Sequence, residues 1–386
     1  MATLSDGKPV AATTPPSSAD SGYMDEALAL AQKGHNTVQP NPQVGAVIVQ
    51  EGRVIGRGYH ARYGGPHAEE LALAEAGSLA AGATVYITLE PCAATYSGKH
   101  RPPCAPALIA AGISRVVCAM TDLNPHVSGK GLQLLRDAGI EVTLGVGADE
   151  AATMNRGFLH WTRTGRPYVL AKEAQTSDGY VAAALDGDRW FTSGQARKWA
   201  HQLRAQAGAV LIGRGTALAD DPALTVREAE GDNPLRVVLD SDNHLPHNLN
   251  LFSDNLAPTL VFSVSAAATP PAGWEQVLVD RTPEGLDLGQ VLDELGRRNV
   301  TLLLVEGGPR VHRSFMEAQL VQEVCIVQAQ VAADSAVRSR PDLKAALILP
   351  QGWPIRKIEA ESPESILMAQ QPLNSSVART GAAAKR

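Results

Sequence analysis

Four side chains in the first third of the chain have the types that metal-assisted hydrolysis requires. His67 and Glu69 stand two apart in GGPHAEE, Cys92 follows TLEP, and Cys104 follows RPP. An imidazole with two thiolates is a mixed nitrogen–sulfur set, which suits zinc better than hard, oxygen-seeking cations. Three protein ligands leave one corner of a tetrahedral site open, and an open corner holding water marks a catalytic rather than a structural zinc. Zinc lowers the pKa of that water to about 7. Glu69, two residues from a ligand and not itself needed on the metal, is the natural proton carrier. A lone H-x-E or a lone cysteine is more often incidental, so the weight rests on all four residues occurring together. Cys118 in RVVCAM and Cys325 in EVCIVQ lie within apolar runs and are expected in the core.

The elements that must position these groups can be read from periodicity. Pro66 favours an extended approach to His67, and AEELALAEA behind it is strongly helical. Cys104 opens the helix CAPALIAAG, where exposed N–H groups favour a thiolate. A helix from Tyr23 to Gly34, the strands VGAVIV and VIGRGYH, the helix after His67, the strand ATVYITLE and the helix at Cys104 follow in turn. RVVCAM, GKGLQLLRDAG and IEVTLG continue the alternation, which predicts a three-layer α/β/α domain. One helix over roughly Glu150 to Trp161 leads into a linker, RTGRP. Lys130, Gly-flanked at a helix start in LNPHVSGKG, is a candidate phosphate receptor.

A second α/β pattern begins at PYVLAKEA. The strands AVLIG, LRVVLD, TLVFSV, VTLLLVEGGP and VCIVQAQV alternate with the helices SGQARKWAHQLRAQ and GQVLDELGRR, which predicts a largely parallel sheet. There is no GxGxxG fingerprint. In VEGGPRVHRSF, however, an apolar strand ends at Glu306, passes through Gly307, Gly308 and Pro309, and opens a helix. Backbone N–H groups at such a junction suit a pyrophosphate.

Composition narrows the partners. The chain has 386 residues, 44% hydrophobic and 19% charged, enough for two or three domains with sizeable α/β cores. A net charge of -6 without a basic stripe, and an aromatic content of 4%, argue against a nucleic-acid binder. No apolar run is long enough to span a bilayer, and the first 22 residues lack the pattern of a secretory signal. The expected setting is cytoplasmic and the expected partner a small-molecule substrate.

The pattern H-x-E followed by P-C is that of zinc deaminases, but the second cysteine lies much further along than their usual C-x-x-C. The ordered series PNPQVGAVIV, GYH, GPHAE, TLEPC, RPPC, ALIAAGISRVV and LNPHVSGKGLQLLRDAGIEV resembles the bifunctional deaminase/reductase of riboflavin biosynthesis. So do FTSGQAR, LRAQAGAVLIGRGTALADDPALTVR, VVLDS and VEGGP, and the likeness runs from about Tyr23 to Val327. The resemblance implies a cytidine-deaminase-like domain at 23–166 and a dihydrofolate-reductase-like α/β domain at 167–370, between a disordered leader (1–22) and tail (371–386). It implies zinc and NADPH as cofactors and, as enzymes with such paired domains often do, a homo-oligomer. The implied reactions are hydrolytic deamination of 2,5-diamino-6-(5-phosphoribosylamino)pyrimidin-4-one and NADPH reduction of its ribosyl chain.

By matching position the resemblance assigns Asn41 to the pyrimidine base. It assigns Ala174, Trp190, Thr216, Asp220, Ser241 and the run Gly308, Pro309, Arg310, Val311, His312, Arg313 and Ser314 to NADPH. Asp188, Arg204, Leu224, Arg227 and Glu306 fall at positions that hold the phosphorylated substrate, with Lys172 a weaker candidate. Two arginines suit a phosphate because each guanidinium offers paired donors. Several departures stand out. The inter-cysteine loop AATYSGKHRPP lacks the family's paired histidines, for which Lys99 and His100 can substitute. TSDG replaces SLDG, Asp188 replaces a common Ser, and VQAQVAADSA follows Cys325. The alternative is a deaminase whose reductase half has lost its chemistry; a non-catalytic nucleotide-binding protein is a third reading.

Overall fold

The computed structural model describes residues 17–93, 101–124, 128–182, 184–185, 191–266, 273–358 and 363–371. The chain divides into two compact units, Met1–Gly165 and Arg166–Arg386.

The first unit opens earlier than the sequence pattern suggests. Helix α1 spans Ser18–Gln32 rather than starting at Tyr23, because Ser17 and Asp20 form a reciprocal capping box. Asp20 is buried and accepts from Arg115 Nη1 (2.8 Å) and Nη2 (3.0 Å) and from Tyr86 Oη (2.9 Å), so part of the expected disordered leader belongs to the fold. Strands β1 (Gly45–Gln50) and β2 (Arg53–Tyr59), helix α2 (Ala68–Ala76), β3 (Thr84–Ile87), α3 (Cys104–Ala110), β4 (Arg115–Cys118), α4 (Lys130–Asp137) and β5 (Glu141–Leu144) follow as anticipated. The sheet order is β2-β1-β3-β4-β5, antiparallel around β1 and parallel from β3 to β5. Ala68, Ala72, Leu108 and Leu132 of α2, α3 and α4 pack on one face. Met24, Leu28 and Ala151 cover the other, giving the three layers. The single expected helix over 150–161 is two, α5 (Ala148–Met154) and α6 (Arg156–Thr164). Asn155 breaks it, bridging the backbone of Gln43 through Oδ1 (2.8 Å) and Nδ2 (2.9 Å).

The second unit contains β6 (Tyr168–Gln175), α7 (Gly194–Gln206), β7 (Ala209–Gly213), α8 (Arg214–Asp220), β8 (Leu235–Leu239), α9 (Asn250–Ser253), β9 (Thr259–Ser263) and β10 (Glu275–Leu278). After the short pair β11 (Arg281–Thr282) and β12 (Gly285–Leu286) come α10 (Leu288–Arg297), β13 (Leu302–Val305), α11 (Pro309–Glu317), β14 (Glu323–Gln328), α12 (Ser335–Arg338), β15 (Ile355–Ile358) and β16 (Ser365–Gln370). The main sheet runs β10-β9-β8-β7-β13-β6-β14-β16-β15, parallel except at β16 and β15. Ser193 caps α7 by accepting from Ala196 N (3.2 Å), and Asp287 caps α10 by accepting from Gln290 N (3.1 Å). The fully buried run of β13 occupies the centre, as a continuous apolar strand must. Sequence reading did not anticipate β10, β15 or β16. The departure after Cys325 begins inside β14, which pairs along its length with both β6 and β16. Cys118 and Cys325 are fully buried core residues, as expected.

Candidate active sites

In the first unit, His67 Nδ1, Cys92 Sγ and Cys104 Sγ all lie within 4.8 Å of one another. The nitrogen stands 3.2 Å from Cys104 Sγ and 3.8 Å from Cys92 Sγ. Those separations let three soft donors share one ion at Zn–N of about 2.0 Å and Zn–S of about 2.3 Å, so the donor set fits zinc. Local structure holds each donor. His67 is the N-cap of α2, and Cys104 is the first residue of α3. Cys104 N donates to Cys92 Sγ (3.3 Å) and Ala105 N to the Cys92 carbonyl (3.0 Å), which ties the two cysteines across the intervening loop. Glu69 is buried beside Cys104. Burial, reinforced by Cys92, pushes its pKa up to about 7, although His67 pulls the other way. Burial opposes the charged form of His67, yet the cysteine and glutamate partners raise its pKa overall. The Cys104 thiol is pushed well up by Cys92 and burial.

Sequence reading missed the carboxylates that support these donors. Glu70 Oε1 accepts from His67 N (3.2 Å) and from Arg101 Nε (3.2 Å), linking the start of α2 to the RPPC segment. Glu90 is buried and accepts from Asp122 N (3.1 Å), Gly129 N (2.9 Å), Gly131 N (2.8 Å) and Leu132 N (3.4 Å). The amides at the start of α4, expected to receive a phosphate near Lys130, are therefore already occupied by a carboxylate. An added Cβ at Gly131 would lie 1.8 Å from the Pro91 carbonyl, so α4 sits directly against the strand end that carries Cys92. Asn41 Nδ2 lies 3.0 Å from His60 Nε2. Lys99 and His100 lie outside the described residues.

In the second unit a cavity of about 1580 Å³ opens at the carboxyl ends of the central strands, the usual place for a ligand in such a sheet. Ala174, Thr216, Asp220, Ser241, Gly308, Pro309, Arg310, Val311 and Ser314 line it, as do Lys172, Arg204, Leu224, Arg227 and Glu306. Cβ atoms added at Gly213 and Gly307 would each come to 2.6 Å from Val311, and one at Gly308 to 3.4 Å from Thr216 Oγ1. The β7–α8 and β13–α11 junctions thus converge. Two expectations change. His312 is fully buried beneath this surface, with neither ring nitrogen hydrogen-bonded among the described residues, and burial drives its pKa down to about 3. His312 and Arg313 do not line the cavity, because α11 turns them away from it. Asp188 and Trp190 lie outside the described residues.

Arg204 Nε (3.0 Å) and Nη2 (2.7 Å) both donate to Glu306 Oε2, and Nη1 donates to the Thr225 carbonyl (3.2 Å). Burial would raise the Glu306 pKa, but the charges of Arg204 and Lys172 hold it below its ordinary value. Glu306 Oε1 has no hydrogen-bond partner among the described residues. Arg227 Nη1 donates to Thr225 Oγ1 (2.8 Å), and its backbone N–H donates to His201 Nδ1 (3.2 Å).

A His/Cys/Cys donor set beside a buried carboxyl, followed by a second α/β unit with a strand-end cavity, fits a deaminase joined to a reductase. Known proteins agree. A model of the cytidine and deoxycytidylate deaminase zinc-binding region matches residues 17–120, and one of the RibD C-terminal domain matches residues 167–332. The riboflavin biosynthesis protein RibD of Aquifex aeolicus is 42% identical over 308 residues, 80% of this chain and 86% of that protein. That of Escherichia coli is 41% identical over 332 residues, 83% of this chain and 90% of its own length. A solved diaminohydroxyphosphoribosylaminopyrimidine deaminase/5-amino-6-(5-phosphoribosylamino)uracil reductase from Thermotoga maritima superposes with a TM-score of 0.78. It shares 33% identity, covering 91% of this chain and 98% of the other. The chain belongs to the RibD family of riboflavin biosynthesis. It is a bifunctional enzyme with zinc as the cofactor of its deaminase domain and NADPH as that of its reductase domain. Nothing favours a reductase half emptied of chemistry. Among the described residues no helix is long and apolar enough to cross a membrane.

Proposed function

We propose that His67, Cys92 and Cys104 hold the zinc and that Glu69 carries protons during hydrolysis of the amine of 2,5-diamino-6-(5-phosphoribosylamino)pyrimidin-4-one to the dione and ammonia. The single observation behind this is the convergence of the three donor atoms beside a buried carboxyl. Bound there, zinc makes water a nucleophile at neutral pH. An amide ion is a poor leaving group, so the departing nitrogen must be protonated. Glu69, with a pKa near 7, exchanges a proton readily under those conditions, first towards the ring nitrogen and then to the amine. Asn41 faces the pyrimidine ring.

The second unit reduces the deaminated intermediate, with NADPH supplying hydride to C1′ of the opened ribose. Gly308 and the start of α11 receive the cofactor's pyrophosphate, with Thr216, Asp220 and Ser241 along its path. Charge refines the substrate roles. Arg227 and Arg204, which both line the cavity, suit the phosphate. Glu306, a carboxylate, repels a phosphate and instead holds the Arg204 guanidinium in place. Lys172 lines the same end. We place the deaminase domain at 23–166, extended back to Ser17 by the cap of α1, and the reductase domain at 167–370, in a cytoplasmic homo-oligomer.

A coupled assay on the purified chain tests this. Ammonia release and NADPH oxidation are followed separately, before and after chelation. Chelation abolishes ammonia release and leaves NADPH oxidation intact when the deaminated intermediate is supplied. Ammonia release by verified metal-free protein would refute the ligand assignment.

A further inference from the structure

Behind the zinc ligands lies a histidine with no assigned role. His60 follows β2, is 3% exposed, and its backbone N–H donates to the Val44 carbonyl (2.9 Å). Its ring stands edge-on to that of His67, with centroids 5.6 Å apart and planes at 75°. Both ring nitrogens are engaged. Nδ1 lies 2.9 Å from the Pro66 carbonyl and Nε2 lies 3.0 Å from Asn41 Nδ2.

These two contacts determine where the proton sits. A carbonyl oxygen only accepts, so His60 Nδ1 carries the hydrogen that makes the 2.9 Å bond. With Nδ1 holding the hydrogen, Nε2 faces the Asn41 amide nitrogen, a donor, and is therefore the ring's lone pair. A lone pair requires a donor opposite it, and of the two prongs of the Asn41 carboxamide only Nδ2 is one. Turning the amide over would set Oδ1 against Nε2, acceptor facing acceptor in a buried setting. The carbonyl of Pro66, immediately before a zinc ligand, thus dictates the orientation of the Asn41 amide through the tautomer of His60.

We infer that His60 is a positioning residue for deamination: it locks Asn41 with Nδ2 turned inward, so that Oδ1 is presented to the pyrimidine ring as a fixed hydrogen-bond acceptor. This rests on the reading of Asn41 as a ring contact. The class of ligand follows: a ring with an N–H or amino group on that edge binds, and one with only acceptors there is refused, because acceptor would meet acceptor. The diaminopyrimidinone carries such donors. The lock also makes the site ready before substrate arrives, since a free carboxamide would spend part of its time presenting the wrong prong.

The test uses full-length protein with its zinc content measured in each variant. In ¹⁵N-resolved spectra of the free enzyme, His60 shows a protonated Nδ1 and a bare Nε2; a protonated Nε2 overturns the inference. His60→Phe keeps the ring's bulk and removes both hydrogen bonds, so kcat/KM for ammonia release falls about ten- to a hundredfold. His60→Gln, whose amide can donate to Pro66 and accept from Asn41, recovers to within about threefold of the parent, while the shorter His60→Asn does not. A His60→Phe protein with ammonia release within about twofold of the parent refutes the lock, as does a His60→Gln protein no better than His60→Asn. Asn41→Ala separates this failure from that of the underlying reading. Unchanged ammonia release in Asn41→Ala removes Asn41 from the ring, whereas loss there with retention in His60→Phe sinks only the lock.

Discussion

Gly131→Ala sets two physical effects of opposite sign against each other. Helix propensity alone favours the substitution, since alanine in place of glycine stabilises a helix by up to about 1 kcal/mol. The structure points the other way. The new methyl carbon would lie 1.8 Å from the Pro91 carbonyl oxygen, and reaching even a tight 3.0 Å requires a movement of about 1.2 Å between backbone segments. Neither partner is a flexible side chain that can step aside. If α4 withdraws, Glu90 loses its bonds to Gly131 N and Leu132 N, charge-assisted contacts each contributing about 1.5–3 kcal/mol. If Pro91 withdraws, Cys92 moves with it and the zinc donors separate. Overpacking of this kind typically costs about 1–3 kcal/mol, so the net effect is destabilisation by about 2 kcal/mol together with weaker zinc retention. The assay is a denaturant titration of parent and variant, with zinc content followed during dialysis against a graded chelator. A variant as stable as the parent that keeps its zinc to the same chelator concentration would refute the close-approach argument.

Three further outcomes follow. Glu69→Gln retains zinc and loses ammonia release by about 10²–10⁴-fold, while NADPH oxidation with the deaminated intermediate is unchanged; separate assays of the two activities check this. Asp20→Asn removes the buried partner of Arg115 and destabilises the first unit by about 3 kcal/mol at neutral pH. Because Arg115 holds the Asp20 carboxyl well below the usual range, its contribution is present above about pH 4 and is lost as pH falls towards the folded-state value. Parent and variant unfolding curves should therefore draw together below about pH 4, and curves that stay apart there would contradict the assignment. Arg204→Met leaves the buried Glu306 carboxylate without its hydrogen-bonded guanidinium and lowers NADPH oxidation at least about tenfold with ammonia release intact; equal loss of both activities would refute a role confined to the reductase site.

The sites were partly legible from the chain, and the boundary has a physical origin. The convergence of His67, Cys92 and Cys104 is visible because these residue types share a donor chemistry, and helix starts and Pro-bounded strand ends place them predictably. Where periodicity is strong, as in β13 or α10, element and layer follow from pattern alone. What could not be read depends on partners distant in sequence. Asn155 divides an otherwise continuous helical pattern because it bonds to Gln43, and α1 begins at Ser18 because Asp20 finds Arg115. Strand β15, IRKI, is mostly exposed and lacks alternation, so only its pairing with β16 reveals it. His312, placed on the cofactor surface by its neighbours in GGPRVHRS, is buried because the turn of α11 sends it inward.

Three glutamates of the deaminase unit show why residue type alone stops short of role. Glu69, Glu70 and Glu90 flank the residues of the His67, Cys92 and Cys104 cluster and share the same chemistry. Glu69, buried beside Cys92, is driven to a pKa of about 7 although His67 pulls the other way, and there a proton is readily exchanged. Glu70, half-exposed and paired with Arg101, is held below its usual value and fastens α2 to the cysteine segment. Glu90, buried among four backbone N–H groups, fixes the loop and helix behind Cys92. Each role follows from what faces the carboxyl: a neighbouring thiol, a guanidinium or a set of amides. None is set within the H-x-E pattern alone: the first needs Cys92, the second a residue 31 positions away and the third a helix start 41 positions away. A metal site's ligands can therefore be written in a local motif, while its rigidity is written in the fold, and the fold is where substitutions such as Gly131→Ala act.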